Sequence, residues 1–188
     1  MMTIAVICII LGIIGLGFSC MTGFWLAAQT AFTDFIDGLP NQDITQKEFN
    51  RLNMAAQQAS LVPTIIMLAM NLFIAPMLIA GGIGCLQRKS GGRRILNLAL
   101  LAAIFFSLWK IGVQIFNYFA VADALNAAVA NYEGDALQVD LEKLVQLNNI
   151  GMIVGSVIGV LLAVGLMCFY IWAKLYVSKE KTVQFFET

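Results

Sequence analysis

Gln87-Arg88-Lys89-Ser90-Gly91-Gly92-Arg93-Arg94 places four cations in eight residues, and on both sides of it the chain is close to continuous hydrocarbon. Upstream, Leu61 to Leu86 holds no charged residue; downstream, Ile95 to Ala122 holds only Lys110. Each run exceeds the roughly 20 residues an α-helix needs to cross a hydrocarbon core. A basic connector between two such runs reads as the turn joining two membrane helices and held at one face of the bilayer.

Working outward, Thr3 to Phe32 and Leu147 to Val177 are further runs of the same kind. The expectation is an all-α integral membrane protein, one domain over 1–188, with four transmembrane helices in two antiparallel hairpins at about 3–32, 61–86, 95–122 and 147–177. Composition agrees: 60% of residues are hydrophobic and 12% charged, against about 45–50% and about 25% in soluble domains. The first run is expected to remain as a span, because no Lys or Arg precedes it and it continues past the length of a cleavable signal.

Orientation follows from how charge is sorted, since the formal net charge is zero. Hinge 87–94 and tail 178–188, with Lys174, hold seven of the eleven cations; the long loops 33–60 and 123–146 hold three cations and nine of the eleven acids. Positive residues stay cytoplasmic, so both termini are expected inside and both acidic loops outside. Arg88, Lys89, Arg93 and Arg94 then set orientation and meet anionic lipid head groups. A basic cluster this short and this close to the membrane predicts no nucleic-acid partner. The expected location is the cell membrane, multi-pass, in a bacterial inner membrane.

Both external loops are expected to carry short helices. In the first, Thr45-Gln46-Lys47-Glu48 has the spacing of a capping box; in the second, Asp140 is placed to N-cap a helix leading into the fourth span. Pro76 predicts a kink in the second span, where its ring removes a backbone donor.

Small residues recur every four positions on two spans: Gly151, Gly155, Gly159 and Ala163 on the fourth, and Gly15, Ser19, Gly23 and Ala27 on the first. Such strips let helix backbones approach closely in lipid. The two strips are expected to pack on each other within one chain, with a homodimer seam as the rival reading.

The third span carries Ser107, Lys110, Gln114 and Asn117, which fall within an arc of about 80° at 100° per residue. Lys110 is the informative member, because an ammonium at a span centre costs about 2.5–3.5 kcal/mol on insertion scales. No carboxylate lies in any span core, so its candidate partners are neutral, Asn71 of the second span among them. The stripe is a polar network that glues helices or docks a subunit, the lining of a hydrated, anion-attracting path, or an outer-leaflet site from which Lys110 snorkels to the interface.

Nothing marks an enzyme. The chain has no His, and it lacks a cysteine pair at metal-ligand spacing and a phosphate-binding glycine loop. No catalytic residue, metal or cofactor is assigned. The expected function is that of a non-catalytic accessory or assembly subunit, acting through helix packing and its acidic loops, with another membrane protein or a second copy as partner. The alternative is a homo-oligomeric channel or small transporter whose polar path is lined by the third span.

Overall fold

A computed structural model describes residues 2–37, 44–130 and 135–179, which are helical apart from short turns. The elements are α1 (Met2–Asp37), α2 (Ile44–Gln57) with a following 3-10 turn (Gln58–Ser60), α3 (Leu61–Leu86), α4 (Ser90–Ala130) and α5 (Asp135–Val177). Four of them, α1, α3, α4 and α5, are long and apolar enough to cross a membrane. Helix is the form such runs take, because it satisfies every backbone polar group without water.

Two helices outrun their expected limits. Helix α4 passes through Asp123 to Ala130, since Val121, Leu125 and Val129 continue a buried stripe at four-residue spacing. Helix α5 begins at Asp135, so Asp140 is not its N-cap; it lies inside the helix, paired with Lys143 at 3.2 Å. Glu48, read as half of a capping box, accepts a hydrogen bond from Arg51 Nη2 at 2.5 Å. Helix α3 stays continuous through Pro76.

The chain divides into two compact units. The first comprises the described residues of Met1–Gly23, Ile66–Ile111 and Leu162–Thr188. Its core gathers Cys8 of α1, Leu78 of α3, Leu96 and Leu100 of α4, and Ala173 and Val177 of α5. Helices α1 and α3 run in opposite directions there: a Cβ on Gly12 would sit 2.8 Å from the Ala75 carbonyl oxygen, and one on Gly82 2.9 Å from that of Ala5. The crossing of α3 and α4 is closer still. A Cβ on Gly81 would lie 2.7 Å from the Leu96 backbone, and one on Gly84 2.5 Å from the Gly92 Cα, so side chains at these points would push the helices apart.

The basic turn makes that approach possible. Lys89 N–H donates to Gly84 O at 2.9 Å and Arg88 N–H to Cys85 O at 3.1 Å, the bond pattern of a Schellman C-cap. Arg88 occupies the left-handed position, with φ 56°, where glycine is usual. Arg93 Nε donates to the Val177 carbonyl at 3.2 Å, placing a cation at the C-terminus of α5, where the helix dipole favours it.

The second unit, Phe24–Ile65 and Gly112–Leu161, has its own core. Phe49 and Ala56 of α2 pack with Val121, Leu125 and Val129 of α4 and Leu141 and Val145 of α5.

Candidate functional site

The polar stripe of α4 serves two different sites, one in each unit. In the first unit, Ser107 and Lys110 line a partly open cavity of about 220 Å³ together with Ser19, Thr22 and Asn71. Most of its wall is hydrocarbon, including Leu11, Leu78 and Leu166.

Asn71 is the tie between α1 and α3. Its Nδ2 donates to the Gly15 carbonyl at 2.9 Å and to Ser19 Oγ at 2.7 Å, so both amide hydrogens are used. The strip on α1 explains why this works. A Cβ on Gly15 would lie 3.4 Å from Asn71 Oδ1 and 3.5 Å from the Ala75 Cβ, while Ser19 is buried and supplies the second acceptor. A Cβ on Gly23 would lie 3.6 Å from Leu68 Cδ2.

Hydroxyls near the cavity donate within their own helices, Thr22 to Phe18 O at 2.9 Å and Ser107 to Ala103 O at 2.9 Å. Lys110 differs: it makes no hydrogen bond or ion pair among the described residues. The neutral partners expected for it do not bond it. Asn71 is committed to α1, and Gln114 and Asn117 line a separate concavity.

That concavity, about 300 Å³, lies in the second unit and is lined by Asn53 and Gln57 of α2, Gln114 and Asn117 of α4, and Asn148 and Gly155 of α5, among others. Three of these amides have a buried atom without a partner among the described residues: Gln114 Oε1, Asn117 Oδ1 and Asn148 Nδ2. Nearby on α5, Asn149 Nδ2 reaches Asn126 Oδ1 at 3.4 Å, but its own Oδ1 is also unpaired. Donors and acceptors are both on offer, and the described lining residues are uncharged.

The small residues of the two strips have different neighbours. Gly15 and Gly23 find α3, because the Asn71 amide needs a backbone carbonyl it can reach. On α5, Gly159 abuts the Gln114 amide, whereas a Cβ on Gly151 or Gly155 would meet nothing within 4 Å. Ala163 is buried and lines the first unit's cavity; Ala27 is exposed. Gly155 lines the amide concavity with open backbone.

Of the basic residues read as orientation signals, Arg93 has a structural bond and Arg88 a structural conformation, while Lys89 and Arg94 are exposed. Sequence reasoning missed Thr22, Asn53, Gln57 and Asn148. A signal existed for two of them, since Asn53 and Gln57 are four apart on α2 and so share a face. No family model matches the chain, and neither does any curated protein or solved structure.

Proposed function

We propose that this is a non-catalytic, multi-pass membrane protein that acts as an accessory or assembly subunit, docking a partner at the amide-lined concavity of α2, α4 and α5. The observation that carries the reading is the set of unpaired buried amide atoms on Gln114, Asn117 and Asn148 beside the open backbone at Gly155. Each buried polar atom left unsatisfied costs about 1–3 kcal/mol, so a partner bringing complementary groups is favoured. Amides both donate and accept, which fits an uncharged segment rich in Ser, Thr, Asn or Gln, or the same face of a second copy. In this reading the basic turn and tail are cytoplasmic and both acidic loops are external, in a bacterial inner membrane.

The test is a mild-detergent pull-down of the full chain with a mass measurement of what it carries. The expected result is a complex heavier than the monomer, lost in Gly155→Leu and in the Gln114→Leu/Asn117→Leu pair. A monomeric mass for the unaltered chain extracted under several mild conditions rejects the reading.

A second reading, a homo-oligomeric channel or small transporter, is favoured by Lys110 lining a cavity instead of being enclosed in a polar network. Reconstituted Lys110→Met protein separates the two. Intact assembly with lost anion flux supports the path, and unchanged flux removes it.

A further inference from the structure

From the first unit we infer that the cavity at Lys110 binds an anionic amphiphile, a carboxylate or phosphate head on a hydrocarbon chain, with the head at Lys110 and the chain running towards Leu11 and Leu78. This goes beyond the docking function, which concerns other residues in the other unit.

Three observations converge. The first is the sorting of the wall. Thr22 and Leu11 are eleven residues apart on α1, about 16 Å at 1.5 Å per residue, and the lining changes character over that length. Thr22, Ser19, Asn71, Ser107 and Lys110 gather towards one end, among Phe18, Met67 and Leu68; the other, formed by Leu11, Leu78, Ala103 and Leu166, is apolar apart from the Tyr170 hydroxyl. A small inorganic anion would leave the apolar end empty, and a plain hydrocarbon would leave the ammonium without a counter-charge. One molecule that is anionic at one end and apolar along the rest satisfies both.

Donor accounting is the second. Both Asn71 amide hydrogens are spent on α1, and the Thr22 and Ser107 hydroxyls are spent on their own helices. The ammonium of Lys110 is left with its donors unspent among the described residues, so the polar end offers a ligand a single cation with up to three hydrogens to give. An anion is the acceptor that completes it.

Depth is the third. Arg94 and Lys110 are sixteen residues apart on unbroken α4, which is about 24 Å of rise against a hydrocarbon core of about 30 Å. With Arg94 at one interface, Lys110 lies in the far half of the core, about 6 Å short of the other face, and not at the span centre read from the sequence. An ionic head can reach that level while its chain stays among hydrocarbon.

The test uses the full chain in phosphatidylcholine nanodiscs, titrated separately with palmitate, phosphatidylglycerol and hexadecanol, with bound molecules counted by native mass spectrometry. The expected result is one palmitate or one phosphatidylglycerol per chain, at least tenfold tighter than hexadecanol. Lys110→Met should weaken anion binding at least tenfold and Lys110→Arg should largely restore it. Thr22→Phe, which narrows the cavity without removing a bond between helices, should also weaken it. Palmitate alone identifies a free acyl carboxylate as the source, phosphatidylglycerol alone a lipid head group, and either upholds the site. No saturable anion binding, equal binding of hexadecanol, indifference to Lys110→Met, or indifference to Thr22→Phe would each overturn it.

Discussion

Arg88 holds a left-handed backbone conformation, φ 56°, in a cap where glycine carries no penalty. Holding a side chain there costs about 1–2 kcal/mol, so Arg88→Gly is expected to raise stability by about 1 kcal/mol, read as a higher midpoint of thermal unfolding in detergent. An unchanged or lower midpoint would mean that the guanidinium contributes enough to offset the strain. Asn71 predicts the opposite sign. Asn71→Leu removes two hydrogen bonds to α1, worth about 1–3 kcal/mol together, and the same measurement should show that loss. Were stability untouched, the tie between α1 and α3 would rest on packing alone. Lys110 was legible from the sequence as a cation without a carboxylate in reach; what it faces was not, because the cavity is made by residues of four helices.

At the scale of elements, glycines mark how closely two helices approach but not which two. That is why the strips were visible in the sequence and their partners were not. The period of four at Gly15, Ser19 and Gly23 fits any close neighbour, and the Asn71 amide makes that neighbour α3. Gly84 and Gly92 are where two backbones approach most tightly among the described glycines. Gly84→Val is expected to separate α3 from α4 and abolish the folded monomer, measured as loss of the monodisperse peak in detergent size exclusion. Gly151→Ala, with nothing within 4 Å of its Cβ, should leave that peak in place. A folded Gly84→Val protein would show that the turn tolerates a wider crossing. Helix limits were poorly legible for a related reason: charges at Asp123 and Asp140 suggested ends, but the buried stripe Val121-Leu125-Val129 carries α4 past the first, and α5 begins five residues before the second.

For the molecule as a whole, the existence of four apolar helices was legible because each run is far longer than a bilayer requires. The amide concavity was not, since its residues come from helices distant in sequence and unremarkable singly. The proposed orientation makes a direct prediction. In a background with the four native cysteines replaced, Lys89→Cys and Lys179→Cys are expected to react with a membrane-impermeant maleimide only after the inner face is exposed, and Asn126→Cys to react from outside. The reverse pattern would invert the topology while leaving both cavities as described.

The bond from Arg93 to the Val177 carbonyl spans 84 residues of sequence, and it bears on the order in which the chain is made. Helices α1, α3 and α4 are synthesised before any of the α5 residues that complete their shared core. Through that interval Leu96 and Leu100 lack Ala173 and Val177 beside them, and the chamber at Lys110 lacks the wall supplied by Ala163, Leu166 and Tyr170. The first unit is thus completed only once α5 has been made, after the other three helices that build it.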